Sequence, residues 1–274
     1  MGYSIFDETM VDMTWPEIEE AVGKDAIVLL PIGIIEEHGP HMGLAVDTYA
    51  AYLVTIMVKH ELETRGVTPL IAPPAYWGVS PSTGVFPGTF SMRSETMKAI
   101  IYDILASLHS WGFRRVFVIN WHGDIGHCLA ILEALKDARR DMSIDAVCLL
   151  GDSDINRLHL TGAEEYILIH KAPPLQEKTG KYIDIHAGSL ETGVMLKYFP
   201  EHVRTALAKK LPPTKLTFDD LAKGLGKSHA ATRKLIPDGY FGNPAGYDID
   251  VAEKYIKTYT KVVANCIEGY LKRK

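Results

Sequence analysis

Apolar and polar positions along the chain fall into blocks of two kinds. Four short runs, "AIVLLPIG" at 26–33, "TPLIAPP" at 68–74, "RRVFVIN" at 114–120 and "IDAVCLL" at 144–150, are apolar almost throughout. A strand with one wet face alternates, so these read as strands buried on both faces, as in a parallel sheet. Between them lie longer segments with helical spacing: "DTYAAYLVTIMVKHELETRG" at 47–66, "SETMKAIIYDILASLHSWG" at 94–112 and "HCLAILEALKDARRD" at 127–141. Asp47 and Ser94 are natural caps for the first two, and Gly66 and Gly112 natural stops. "TWPEIEEAVG" at 14–23 opens with Thr14 as cap, Pro16 early in the helix and Glu17 closing a capping box.

Strands alternating with helices of this length imply crossover units, and hence a largely parallel sheet covered on both faces, an α/β fold. The pattern weakens at 151–186, resumes as a helix over 186–200 ended by Pro200, is irregular at 211–250, and closes on a helix from Asp250. No linker and no repeat divides the chain. The expectation is a single domain over 1–274 with two excursions, at about 151–186 and 211–250.

Polar chemistry sits at the ends of the apolar runs. "GIIEEHGPHMGLAVDTY", 33–49, brings Glu36, Glu37, His38, His41 and Asp47 directly after the first strand. Such groups are costly beside a core unless something compensates them. Ser80 lies in the loop after the second strand, His122 and Asp124 follow "VFVIN", and His186 and Glu191 open a later helix. In parallel sheets, ligands bind beyond the carboxyl ends of the strands. In extended chain Glu36 and His38 point one way and Glu37 the other. Asp47 has two oxygens with which to bridge two cations, and His122 adds an imidazole. Carboxylate with imidazole suits Zn, Mn or Fe rather than Ca or Mg. Two cations sharing a carboxylate would acidify a water between them. Each residue also has a plainer reading: Asp47 as a helix cap, His122 as a loop histidine, and His41, His109 and His127 as structural or surface residues. There is no G-x-S-x-G elbow, and "HGDIGH" lacks the spacing of a phosphate loop.

Composition narrows the partners. The chain has 274 residues, 47% of them hydrophobic, and a net charge of −5 without a basic block. That is enough to bury a full core and argues against nucleic acid. Cys128, Cys148 and Cys266 have no C-x-x-C spacing and read as reduced thiols of a cytoplasmic protein. The amino terminus lacks a basic region followed by an apolar one, and no apolar run approaches a membrane span.

"PIGIIEEHGPHMGLAVDT", "WGVSPSTGVFPGT", "NWHGDIG" and "HAGSLETG", in that order, resemble the creatininase (creatinine amidohydrolase) family over about residues 26–200. The resemblance implies a three-layer αβα sandwich and a homo-oligomeric, often hexameric, hydrolase of small molecules. Two divalent ions, Zn or Mn with Fe as an option, would hold the hydroxide that attacks the carbonyl of a cyclic or linear amide. By position, Glu36, His38, Asp47 and His122 match metal ligands, with Asp47 bridging. Ser80 matches a substrate contact, and His186 a histidine that positions substrate and carries protons. The sixth ligand is either Glu191, which is favoured, or Asp124. Gly123 stands at a substrate position where creatininase itself has tyrosine, Thr83 where relatives commonly have histidine, and all four tryptophans precede residue 122. These departures turn the expectation away from creatinine. A ring-opening C–C hydrolase of a cyclic polyol ketone is the second reading, and a metal-free binding protein the third.

Overall fold

The computed structural model of the protein describes residues 4–173, 182–225 and 228–273. Five parallel strands form one sheet in the order β2-β1-β3-β4-β5: β1 (Ile27–Ile32), β2 (Pro69–Ile71), β3 (Arg115–Asn120), β4 (Asp145–Gly151) and β5 (Ile167–His170). Successive side chains of a strand point to opposite faces, so each buried strand feeds two cores. Val28, Leu30, Ile32, Val116, Val118, Ala146, Cys148 and Leu150 join the core under α1 (Trp15–Gly23), α3 (Ser94–Ser110) and α4 (Ile125–Met142). Ile27, Leu29, Phe117, Ile119, Val147 and Leu149 face α2 (Val46–Glu63) and α10 (Ile249–Leu271), with α6 (Ser189–Tyr198) beside them. The result is the helix–sheet–helix sandwich that the resemblance implies.

The order places β1 between β2 and β3, so the connections leaving β1 and β3 diverge. That is the switch point at which open parallel sheets open a crevice at their carboxyl edge. The loops carrying Glu36, His38 and His122 leave from those two strands.

Several boundaries differ from the sequence expectation. The helix read from Asp47 begins at Val46 with Ala45 as cap, so Asp47 lies inside the first turn. Likewise Arg93, not Ser94, caps α3. The helix read from His127 starts two residues earlier, because the Asp124 carboxylate caps it, accepting from the N–H of Gly126 at 2.8 Å and of His127 at 3.4 Å. Within 151–186 lie a short α5 (Asp152–Arg157) and the edge strand β5, neither of which was expected. The 211–250 excursion holds α8 (Phe218–Gly224) and α9 (His229–Leu235), separated from α6 by the four-residue α7 (Thr205–Ala208). Its segment 239–242 lies beside His186: Phe241 bridges His186 through backbone hydrogen bonds. The cysteines are all free. Among the described residues no helix is long and apolar enough to cross a membrane.

Candidate metal centre

Gly33 directly follows β1 and decides how close α2 can come. A Cβ there would lie 2.7 Å from the backbone of Asp47 and Thr48, inside any real contact. Only glycine lets the first turn of α2 settle on the strand end, and this brings Asp47 beside the segment that follows β1. That segment stays extended, pairing Gly33 N–H with Ala75 O and Ile35 N–H with Tyr76 O. Glu36 and His38 therefore leave on one side, as the two-residue spacing requires.

Two loops and the first turns of two helices converge here. Glu36, His38, Asp47 and His122 are all at most 7% exposed. His122 Nδ1 lies 3.2 Å from Glu36 Oε1 and 3.3 Å from Asp47 Oδ2. His38 Nε2 lies 3.7 Å from Asp47 Oδ1 and 3.8 Å from Glu191 Oε2. Three groups of three result: Glu36, Asp47 and His122; His38, Asp47 and Glu191; and Glu36, His38 and His186. Asp47 belongs to the first two, through a different oxygen in each.

The donor set fits divalent ions. His122 Nε2 is 3.1 Å from the Val79 carbonyl and His38 Nδ1 is 3.2 Å from the Glu36 carbonyl. Carbonyls only accept, so each ring carries its proton there and turns its other nitrogen to the carboxylates, the usual backing of a metal-ligating histidine. His38 Nε2 and Asp47 Oδ2 are buried without a hydrogen-bond partner. Buried polar atoms left so are costly unless an ion takes their lone pairs. Two ligands each about 2.1 Å from a tetrahedral zinc stand roughly 3.4 Å apart. The spacings of 3.2–3.8 Å bracket that value.

The electrostatics agree. Burial would raise Glu36, but the imidazoles of His122, His186 and His38 hold it well below the usual carboxylate range. Burial would lower His38, but Asp47, Glu191 and Glu36 raise it to about 10. Burial is likewise outweighed at His122, which Glu36 and Asp47 raise well above the usual value. The same negative field favours a cation.

His186 stands at the rim. Its Nε2 donates to the Glu37 carbonyl at 3.0 Å, leaving Nδ1 3.6 Å from Glu36 Oε1, and its ring lies 4.4 Å from that of His38. Phe241 covers the other face at 5.0 Å. Glu37 turns away from the cluster, as expected, and toward the far edge of His186, its Oε1 3.4 Å from Nε2. Gly239, at φ +75°, leaves room for it: a Cβ there would sit 2.1 Å from Glu37 Oε2.

Of the two candidates for the sixth ligand, the fold brings Glu191 to the cluster and keeps Asp124 at the cap of α4, with Ser82 Oγ 3.3 Å from its other oxygen. Ser80 is reached only through Thr83, whose hydroxyl donates to Glu36 Oε2. His41 and His127 are buried and bonded within the chain. Burial, with the positive His38 and His186 adding to it, pushes His41 down to about 4, and its Nε2 meets Thr192 Oγ1 at 2.9 Å. His127 accepts from Val79 N–H and donates to Asn120 Oδ1.

A cavity of about 250 Å³ opens beyond β3, β4 and β5. His122 and Gly123 border it on the cluster side, Trp121, Tyr255 and Tyr259 supply aromatic surface, and Asp154 and Arg157 supply charge. Arg157 pairs with Asp154 at 2.8 Å and donates to the Gly123 carbonyl. Sequence reasoning did not single out Arg157, Phe241 or Glu37's contact with His186. The aromatic and glycine cluster "DGYFGNPAG" at 238–246 was the one available signal for the covering segment.

The family model described as creatininase, creatinine amidohydrolase, matches residues 11–267. The chain belongs to the creatininase family. Members to which it is similar include the creatinine amidohydrolase of Pseudomonas putida, 28% identical over 78% of this chain and 79% of that protein. A mycofactocin precursor peptide peptidase of Mycolicibacterium smegmatis is 30% identical over 54% of this chain and 58% of the peptidase. A 3-dehydro-scyllo-inosose hydrolase of Thermotoga maritima is 26% identical over 73% and 59%. Two solved creatininase structures share the fold at a TM-score of 0.71. One is a manganese form, 20% identical with 96% and 98% of the chains covered; the other is a zinc–zinc type, 21% identical with 98% and 99% covered. This creatininase-family chain is thus an enzyme of a hydrolase family whose solved structures include manganese and zinc forms, and it carries candidate ligand groups of its own.

Proposed function

We propose that the chain is a binuclear metal-dependent hydrolase that opens the C–N bond of a small cyclic or linear amide. The observation that carries this reading is the position of Asp47, shared by two three-residue groups, with its two oxygens aimed at opposite histidines. Glu36, Asp47 and His122 would hold one ion, and His38, Asp47 and Glu191 the other. Bound there, two divalent cations supply Lewis acidity for a carbonyl and lower the pKa of a water at neutral pH.

The rest of the work falls to the chain. His186 is held by the Glu37 carbonyl at one nitrogen, so Nδ1 alone faces the reacting space and carries the proton between the water and the leaving nitrogen. Hydrolysis then balances: the carbonyl carbon gains the water oxygen, the C–N bond breaks, and the departing nitrogen takes the proton. Phe241 keeps solvent from the outer face of that imidazole. Substrate bulk enters the cavity past Gly123, where a Cβ would meet nothing within 4 Å.

Relatives of similar likeness are, by name, a creatinine amidohydrolase, a precursor peptide peptidase and an inosose hydrolase. A second reading keeps the same centre and opens a C–C bond in a cyclic polyol ketone. The Asp154–Arg157 pair on the cavity wall, able to bind hydroxyls, favours it. Protein purified without chelator, analysed for metal and then assayed on lactams, short peptides and polyol diketones, separates the readings. Release of amine with about two ions per chain supports C–N hydrolysis. Ring opening of a diketone without amine release from any amide would overturn it, and a metal-free protein would overturn both.

A further inference from the structure

The two oxygens of Glu36 have different surroundings. Oε1 faces His122 Nδ1 at 3.2 Å and His186 Nδ1 at 3.6 Å. Oε2 is taken by the hydroxyl of Thr83 at 2.5 Å. Thr83 is 2% exposed, and its own oxygen lies 2.7 Å from Ser80 Oγ. A carboxylate that binds a cation has no proton, so it can only accept. Thr83 must therefore donate to Glu36, and its oxygen accepts from the Ser80 hydroxyl. The direction of every hydrogen in this chain of three is thereby determined.

The backbone around Thr83 is held as firmly as its side chain. Gly84 N–H bonds to Ser80 O at 3.0 Å and Phe86 N–H to Thr83 O at 2.9 Å, while Ser80 N–H donates to Ser91 Oγ at 2.9 Å. The turn presents the hydroxyl to Glu36 from a loop 47 residues away. Without it, a buried carboxylate oxygen would have no partner and Glu36 would be free to rotate about its terminal bond.

We propose that Thr83 is a positioning residue for the metal centre: its hydroxyl, backed by Ser80, occupies one oxygen of Glu36 so that the other alone is presented to the ion shared with Asp47 and His122. The inference rests on the reading of Glu36 as a ligand.

The test measures metal affinity rather than turnover. Wild type and the variants Thr83→Val, Thr83→Ala and Thr83→Ser are loaded with zinc and titrated with a competing chelator, counting ions per chain. Removing a hydrogen bond behind a ligand costs about 10–100-fold in affinity. Thr83→Val should lose affinity by that factor for one of the two ions and keep the other, and Thr83→Ser should restore it to within about threefold. Thr83→Ala serves if valine unfolds the turn. Wild-type affinity for both ions in Thr83→Val or Thr83→Ala, with two ions bound to wild type, would overturn the role of Thr83 and leave the binuclear centre intact. Failure of Thr83→Ser to restore affinity would overturn it as well. Wild type that binds no zinc would overturn the centre and the inference together.

Discussion

His122 Nδ1 lies 3.3 Å from Asp47 Oδ2, although the proton of that imidazole is engaged on the far side by the Val79 carbonyl. Two lone pairs at that separation repel unless a positive charge stands between them. Asp47 meets His38 in the same way through its other oxygen. Asp47→Ala should therefore strip both ions, whereas His122→Ala should strip one. Elemental analysis of the purified variants decides this, and two ions retained in Asp47→Ala would falsify the bridging role. The helix itself should survive, because Ala45 rather than Asp47 occupies the cap.

Glu191 and Asp124 should separate cleanly. Glu191 reaches within 3.8 Å of His38 Nε2, and Asp124 spends one oxygen on two backbone N–H groups at the start of α4. Glu191→Ala is expected to lose one ion, together with the hydrogen bond that Oε2 accepts from Ala187 N–H at 2.6 Å. Asp124→Ala should keep both ions and lose about 0.5–2 kcal/mol of stability, the usual worth of a cap. Denaturant titration alongside metal counting reads both effects. Loss of an ion from Asp124→Ala alone would reverse the assignment.

These two carboxylates also mark where the sequence stopped being legible. The apolar runs of β1, β3 and β4 and the helices between them were plain, because burial on both faces leaves no polar interruption. Glu36 and His38 could be paired from their spacing alone. Asp124 was ambiguous because a carboxylate two residues after a histidine looks alike as ligand or as cap, and only the true start of α4 tells them apart. β5 escaped because it is four residues long and exposes Ile169. The Thr83 contact to Glu36 and the Phe241 cover over His186 join loops far apart in sequence, and no local pattern encodes such a meeting.

Gly123 should control access. Nothing lies within 4 Å of where its Cβ would be, and it borders the cavity beside His122. Gly123→Tyr should fold and keep both ions, since the ring has open space to enter. It should lower kcat/KM at least about tenfold, roughly 1.4 kcal/mol, on any substrate that occupies the cavity. Steady-state kinetics on the substrate identified by the amide and diketone screen gives the number. An unchanged kcat/KM would mean that substrate approaches from elsewhere.

His41 should make the fold acid-sensitive. It is fully buried, and burial together with the positive charge of His38 and His186 pushes it down to about 4 from an ordinary value near 6.5. Between those two pH values the unfolded chain binds a proton at His41 and the folded chain does not. Stability must therefore fall as pH drops from 6.5 toward 4, by at most about 1.4 kcal/mol per pH unit for this one group. Below about 4 both states carry the proton and this contribution levels off. His41→Asn removes the titrating group. It should cost stability at pH 7 through the altered contact with Thr192 Oγ1, yet show a shallower decline across the window. Urea midpoints of the two proteins at pH 7, 6, 5 and 4.5, read with m-values, make the comparison. Parallel declines would show that acid acts on this fold through other groups.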